Sequence, residues 1–333
     1  MTRVVPRSTG LAILTLFLLV LGCVDDGSGE SASGAAGFAS TPGARARPSK
    51  LVLGLVPATE AQQMVDDATP LAEFLRGELG MPVESFVPQD YTALIEAMGS
   101  GRADIGMLPP FASILGKQRY GIETILIAKR QGEATYKTQW MTADPTLCDA
   151  PPKPQGPDGF LFCHGAIEQV RGKLVAFTDP TSTSGHLFPA LQLLDAGINP
   201  ETDIESVFVG SHDAAVIAVL NGDVEIGVSF DDARTWVEKS FPDVGQKVIV
   251  WNESAPIPND GVTVRGDLPA DLKQDITRAF IKLIESEADR PLAERTLYRI
   301  YEIDGFVPFE PALHEPVERA FREMREKIDA GER

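Results

Sequence analysis

The chain has 333 residues, 43% of them hydrophobic, and its 48 acidic against 30 basic residues give a formal net charge of −18. This length is sufficient for two lobes with separate hydrophobic cores. The excess of negative charge argues against a nucleic acid as a partner, and an anionic ligand would have to be bound by local hydrogen-bond donors.

The first 22 residues have the layout of a signal peptide. Arg3 and Arg7 precede an apolar run, residues 11–21, that is shorter than the roughly 18 to 20 residues a membrane-spanning helix needs. The run ends in "VLGC", which resembles the lipobox of bacterial lipoproteins. We therefore expect Cys23 to carry a lipid anchor, the alternative being an ordinary secretory signal with an incidental cysteine.

Residues 23–49 are rich in Gly, Ser, Ala and Pro and have no hydrophobic period. Such a segment cannot bury enough apolar surface to order itself, so we expect a flexible tether. An anchor and a tether before a globular part predict a periplasmic or extracytoplasmic protein that is held at a membrane without spanning it.

Between residues 51 and 119, short apolar runs alternate with helical patterns of apolar residues. The predicted strands are 51–56, 83–87 and 103–108, and the predicted helices are 61–79, 90–98 and 111–119. This alternation predicts a mostly parallel sheet that is flanked by helices.

Cys148 and Cys163 flank a segment rich in proline and glycine. In an oxidising compartment such a pair predicts a disulfide, and closing a loop of this length contributes on the order of 3 kcal/mol. A metal site with His164 is the alternative, but no Cys-x-x-Cys spacing supports it. We therefore expect no metal, and no motif indicates a cofactor.

A second series repeats the alternation of strands and helices. Its predicted strands are 173–177, 204–209 and 224–230, and its predicted helices are 186–196 and 213–220. Because "ALIEAMGSGRADIGMLPP" (93–110) and "AVIAVLNGDVEIGVSF" (215–230) share one pattern, two similar lobes are expected.

After Trp251 the chain is predicted to return to the first lobe, with an amphipathic helix over 270–286 packing there. The expected first lobe comprises residues 50–135 and 252–333, and the expected second lobe comprises residues 136–251. Two lobes joined by two crossings leave a cleft, which is where small ligands are usually bound.

Four hydroxyl side chains, Thr181 to Ser184, follow the predicted strand 173–177 and precede a predicted helix. Loops at the carboxyl ends of parallel strands bind ligands, and hydroxyls together with the free N–H groups of a helix suit a tetrahedral oxyanion. The alternative is plain helix capping and turn chemistry.

The segments "DPTSTSGHLFP" (179–189) and "FVGSHDAAVIAVLNGDVEIGVSFDDAR" (208–234) resemble the PhnD-like phosphate, phosphite and phosphonate binding proteins of bacterial ABC transporters, and residues 70–113 are similar to the same family. The resemblance implies a two-lobed α/β fold of the periplasmic-binding-protein type II class. It makes Ser182, Thr183 and Ser184 the oxyanion clamp and His212 a further donor.

Asp231, with Asp232 beside it, matches the place where relatives that take aminophosphonates have an acidic partner for the ammonium group. A helix N-cap is the alternative for Asp231.

In the first lobe the matching positions are Thr59, Tyr91 and the helix start with Phe111 and Ser113. Many family members have a tyrosine where this chain has Phe111, so a hydroxyl contact to the ligand is missing or replaced.

The resemblance implies a monomeric extracytoplasmic solute-binding protein that captures a small phosphorus oxyanion and delivers it to an ABC permease. One alternative is a protein that presents an oxyanion or arsenite to a histidine kinase, and arsenite binding would need Cys148 and Cys163 reduced and facing the cleft. A second is a hydrolase using Ser184, His212 and Asp231, which lacks the Gly-x-Ser-x-Gly elbow. We therefore expect a binding protein and not an enzyme.

Overall fold

The computed structural model describes residues 47–331 of the chain. The predicted signal peptide (1–22), the predicted lipid attachment at Cys23 and most of the predicted tether lie outside the described residues. Arg47, near the end of that tether, forms ion pairs of 3.1 Å with Asp271 and 2.7 Å with Asp275.

The chain alternates strands and helices from residue 51 onward. The first elements are β1 (Leu51–Leu55), α1 (Ala61–Leu79), β2 (Val83–Phe86), α2 (Tyr91–Gly99), β3 (Ile105–Leu108), α3 (Pro110–Tyr120) and β4 (Glu123–Lys129). The middle elements are β5 (Thr135–Tyr136), β6 (Thr138–Thr142), β7 (Lys153–Gln155), β8 (Phe160–Phe162), β9 (Leu174–Phe177), α4 (Phe188–Asp195), β10 (Glu205–Phe208), α5 (His212–Asn221), β11 (Ile226–Phe230), α6 (Arg234–Glu238), α7 (Val244–Lys247) and β12 (Ile249–Glu253). The last elements are β13 (Ile257–Pro258), β14 (Gly261–Val264), α8 (Ala270–Ser286), α9 (Thr296–Tyr301), β15 (Gly305–Pro308) and α10 (Glu315–Gly331).

The predicted elements are present, with ends that differ by a few residues at most. The helix predicted from residue 186 begins at Phe188, because residues Thr183–Leu187 form a π-helical turn. Among the described residues, no helix is both long enough and apolar enough to cross a membrane.

The two sheets are built alike. The first has the strand order β15-β4-β14-β3-β1-β2, in which β1 is parallel to β2 and β3 while β14 is antiparallel to β3 and β4. The second has the order β10-β9-β11-β6-β12-β8-β7, in which β9 is parallel to β10 and β11 while β6 is antiparallel to β11 and β12. Both sheets are thus mixed. In each sheet an antiparallel strand, β14 or β6, directly follows a strand of a crossing segment, β13 or β5.

The crossing segments pair with each other. β5 and β13 form a two-stranded antiparallel ribbon, with Ile257 opposite Tyr136 and Pro258 opposite Thr135. This ribbon places residues from two distant parts of the chain side by side between the two sheets.

Helix α8 packs against the core of the first sheet, as predicted. Its buried residues Leu272, Ile276, Phe280 and Leu283 follow helical spacing and join the cluster that contains the β1 strand. Burying such a stripe is the main source of stability for an amphipathic helix of this kind.

Helix α10 contacts elements from both halves of the fold. Val317 of this helix lies in one hydrophobic cluster with Phe111 of α3 and with Leu187, which precedes α4. The ring of Phe321 lies 4.9 Å from that of Phe111.

Cys148 and Cys163 form a disulfide with their Cα atoms 5.6 Å apart.

Candidate functional site

A small cavity lies between the two sheets, at the loops that follow several of their strands. Its wall is formed by Val56, Ala58, Tyr91, Pro109, Arg130, Tyr136, Ser182, Ser184, His212, Phe230, Trp236, Asp260 and Tyr301. The centres of water-sized molecules can occupy about 20 Å³ of it. A sphere of that volume, extended by the roughly 1.4 Å radius of a water molecule, is a space of roughly 3 Å radius. This is about the size of one tetrahedral oxyanion.

Two of the four successive hydroxyls lie on the cavity wall. Ser182 Oγ accepts a hydrogen bond from the Gly185 N–H at 3.0 Å and so caps the π-helical turn, and the residue also lines the cavity. Ser184 lies beside it with its carbonyl oxygen bound to the Thr138 hydroxyl at 2.9 Å. A hydroxyl that accepts one hydrogen bond can still donate its own hydrogen, so capping and ligand binding are compatible for Ser182.

The other two hydroxyls of the run are used elsewhere. Thr181 Oγ1 donates to the Asp179 carboxylate at 2.8 Å. Thr183 Oγ1 accepts from the N–H of Phe111 at 3.0 Å and does not line the cavity. Of the three residues predicted as a clamp, Ser182 and Ser184 lie on the cavity wall, while Thr183 connects the two halves of the fold.

His212 is the first residue of α5 and lies on the cavity wall. Its Nδ1 is 2.8 Å from the hydroxyl of Ser229, which leaves Nε2 for the cavity. Burial lowers the pKa of His212 to about 4, against the smaller raising effect of the Asp260 charge. The imidazole is thus neutral at pH 7, and it can donate from Nε2 if the Ser229 hydroxyl donates to Nδ1.

Three tyrosines, Tyr91, Tyr136 and Tyr301, also line the cavity. Burial, with a contribution from nearby carboxylates, raises the pKa of Tyr91, Tyr136 and Tyr301, so all three phenols keep their protons. The Tyr301 hydroxyl donates to the carbonyl oxygen of Val56 at 2.8 Å. Tyr136 and Tyr301 were not predicted from the sequence, since they lie in the crossing ribbon and at the end of a short helix.

An ion pair that the sequence did not indicate lies in the same wall. Arg130 Nη2 is 2.6 Å from Asp260 Oδ2, and their side chains are 14% and 19% exposed. Arg130 also donates to the carbonyl oxygen of Tyr301 at 2.7 Å and to Asn259 Oδ1 at 3.1 Å. The Asp260 charge acts on the pKa of each wall tyrosine and of His212, so this carboxylate is close to all the titratable groups of the cavity.

The acidic pair Asp231 and Asp232 does not line the cavity. Asp231 Oδ1 accepts from the N–H of Lys137 at 3.0 Å, and burial raises the pKa of Asp231 to about 6. Asp232 binds the fully buried guanidinium of Arg234 at 2.5 Å and also accepts a hydrogen bond from the Arg234 N–H at 3.1 Å. The residue before α6 is Ala233, which has no side-chain cap, so the capping alternative is not realised at Asp231.

In the part of the chain that the structure describes, Thr235 and Trp236 bond to Glu302, and four further hydrogen bonds join loops of the first sheet to loops of the second. His212 N–H donates to the Ala58 carbonyl oxygen at 3.0 Å, and Thr59 Oγ1 donates to Asp213 Oδ2 at 3.0 Å. Tyr91 N–H donates to Asp179 Oδ2 at 3.2 Å, and the Phe111–Thr183 bond is the fourth. Thr59 and Phe111 therefore act at the junction and do not line the cavity.

The geometry of a hydrolase triad is absent from these residues. His212 Nδ1 is bound to Ser229, and the Asp231 carboxylate is bound to the backbone of Lys137. Cys148 and Cys163 are bonded to each other, and neither lines the cavity, so they offer no thiols there for arsenite.

Several known proteins are similar to this chain. Residues 53–313 match a family described as "ABC transporter, phosphonate, periplasmic substrate-binding protein". The phosphate-import protein PhnD of Mycolicibacterium smegmatis is 28% identical over 217 residues, which are 61% of this chain and 63% of that protein. The chain thus matches less than two thirds of the length of this relative.

Two solved structures show the same fold. A binding-protein component of an ABC phosphonate transporter from Pseudomonas aeruginosa superposes with a TM-score of 0.70 at 16% identity, covering 84% of this chain and 88% of that one. PhnD1 from Prochlorococcus marinus, solved in complex with methylphosphonate, superposes with a TM-score of 0.68 at 16% identity, covering 84% and 99%. The two-lobed α/β fold of periplasmic binding proteins, predicted from the sequence, is confirmed.

Proposed function

Because this chain belongs to the family of periplasmic substrate-binding proteins of phosphonate ABC transporters, we propose that it captures one small phosphorus oxyanion in its cavity and delivers it to an ABC permease. The observation that supports this proposal is the set of uncharged donors on the wall. Ser182, Ser184 and His212 line one small space, and the Nδ1 of His212 is taken by Ser229.

Uncharged donors suit a tetrahedral oxyanion in an enclosed site. Each donor can take one oxygen, and hydrogen bonds to an anion are shorter and stronger than bonds between neutral groups. Tyr91 and Tyr136 add phenol groups that stay protonated. The size of the cavity favours a compact anion such as phosphate, phosphite or methylphosphonate.

The proposal includes the location of the protein. We propose that the signal peptide is removed, that Cys23 carries the lipid anchor and that the domain acts as a monomer outside the cytoplasmic membrane. The disulfide between Cys148 and Cys163 supports an oxidising compartment.

Calorimetric titration of the purified protein with phosphate, phosphite, methylphosphonate, arsenite and sulfate tests the binding function. We expect tight binding of one phosphorus oxyanion, with Ser184→Ala and His212→Ala each weakening it at least tenfold. Ser240→Ala, at an exposed serine, is the matched control and should bind like the wild type. Binding of no phosphorus compound, or wild-type affinity in both cavity variants, would contradict the proposal.

A further inference from the structure

The Arg130–Asp260 pair lies on the cavity wall, but the proposed clamp does not use it. The guanidinium is held by three hydrogen bonds, to Asp260, to Asn259 and to the Tyr301 carbonyl oxygen. Such fixation keeps the positive charge at the wall and beside the carboxylate.

The other polar groups of the wall are neutral. The tyrosines keep their protons and His212 is uncharged at pH 7, so Arg130 and Asp260 are the charged side chains of the wall and they balance each other. Without Arg130, the wall would present a lone carboxylate in the same cavity as the donors of the proposed clamp. A buried carboxylate without its partner repels an anion and attracts a cation.

We propose that Arg130 is a specificity-determining residue: by neutralising Asp260 it makes the cavity select phosphorus oxyanions without an ammonium group. A ligand such as an aminoalkylphosphonate would bring an ammonium that competes with the guanidinium for the same carboxylate. Since Arg130 is already bound to that carboxylate, the ammonium gains no partner and loses its hydration. This inference rests on the proposed function, because it presumes that a phosphorus oxyanion occupies the cavity.

The sequence around the pair explains why it forms. Arg130 directly follows β4, and Asp260 directly precedes β14, which pairs with β4 in the first sheet. The Ala128 N–H donates to the Asp260 carbonyl oxygen at 2.9 Å, which holds the two segments together beside the ribbon of β5 and β13. The ion pair is therefore fixed by sheet pairing rather than by the ligand.

The test compares two ligands of nearly equal size, aminomethylphosphonate and ethylphosphonate, which differ by an ammonium in place of a methyl group and are each one heavy atom larger than methylphosphonate. We expect the wild type to show no preference for aminomethylphosphonate. Arg130→Gln, which frees the carboxylate, should bind aminomethylphosphonate at least tenfold more tightly than ethylphosphonate. Arg130→Lys should keep the wild-type order, and Arg130→Gln combined with Asp260→Asn should lose the new preference.

If Arg130 had only a structural role, the measured affinities would change in a different way. Loss of a structural contact weakens all ligands by one factor, whereas the proposal requires the ratio of the two affinities to change. An Arg130→Gln variant that binds both ligands in the wild-type ratio, or binds neither, overturns the proposal. If Arg130→Gln is unfolded by circular dichroism, Asp260→Asn serves instead and should bind methylphosphonate more tightly than the wild type does, and unchanged or weaker binding overturns the inference.

A different result would contradict the proposed function itself. If the wild type binds neither phosphate, phosphite nor methylphosphonate, the capture of a phosphorus oxyanion is contradicted and the inference on Arg130 falls with it. If the wild type binds one of them and only the ratio test fails, the capture function stands.

Discussion

At the scale of residues, His212 combines a neutral ring with an exposure of only 6%, and this has a consequence for stability. Its pKa is lowered to about 4 in the folded protein, against about 6.5 when it is exposed. Between these values the unfolded chain binds a proton that the folded protein does not bind. The free energy of unfolding therefore decreases as the pH falls through this window.

We predict that the wild type without ligand loses about 2 kcal/mol more stability between pH 7 and pH 5 than His212→Gln does. Urea unfolding at the two pH values measures the difference. The raised pKa of Asp231 acts equally in both proteins and cancels from the comparison. His164→Gln, at an exposed histidine, should keep the wild-type pH dependence, and an equal dependence in His212→Gln would show that His212 is not the titrating group.

The residues of the site differ in how far the sequence could predict them. Ser182, Ser184 and His212 belong to short motifs that follow predicted strands, so a family resemblance was enough to name them. Arg130 and Asp260 lie at the ends of two strands far apart in the chain and carry no local pattern. They meet only through tertiary pairing, which no periodicity of the sequence encodes.

At the scale of elements, the hydroxyl loop depends on a close approach at Gly185. A Cβ atom at this position would lie 1.8 Å from Thr178 Oγ1 and 2.8 Å from Thr178 Cβ. The π-helical turn therefore has room only for glycine here, and it positions Ser182 and Ser184 at the wall.

We predict that Gly185→Ala destabilises the protein by about 1 to 3 kcal/mol through overpacking and weakens ligand binding at least tenfold. Thermal unfolding and calorimetric titration measure the two effects. The control is Gly77→Ala in α1, where a Cβ meets nothing within 4 Å, and it should leave binding unchanged and slightly increase stability. Wild-type affinity in Gly185→Ala would contradict the assigned geometry of the loop.

Helices and strands were predicted correctly where one segment shows a clear spacing of apolar residues. Helices α1 and α8 have the bounds that their apolar spacing indicates, and α8 packs where it was expected. The short crossing strands β5 and β13 and the helix α10 were not predicted. Two-residue strands have no measurable period. Helix α10 was missed although its apolar residues Val317, Phe321 and Met324 follow helical spacing.

At the scale of the whole molecule, closure of the cleft involves both the four hydrogen bonds between loops and the helix α10. This helix buries apolar side chains against α3 and against the start of α4 at once. Hinge motion between two lobes would have to separate some of these contacts, so their packing energy contributes to the closed arrangement.

We predict that Phe321→Ala, which removes the ring packed on Phe111, weakens ligand affinity about three- to tenfold without abolishing binding. Trp236 lies on the cavity wall whereas Trp140 and Trp251 are fully buried, so tryptophan fluorescence reports on binding. Arg322→Ala, at an exposed residue of the same helix, is the control. An affinity equal to that of the wild type in Phe321→Ala would show that α10 does not contribute to closure.

The most direct test of the central claim is a crystal structure with the phosphorus oxyanion that titration identifies as the tightest ligand. We predict that its oxygens lie at about 2.5 to 3.2 Å from the Ser182 and Ser184 hydroxyls and from His212 Nε2. Arg130 should remain paired with Asp260. A ligand bound outside this cavity, or one whose oxygens contact none of these three donors, would contradict the account.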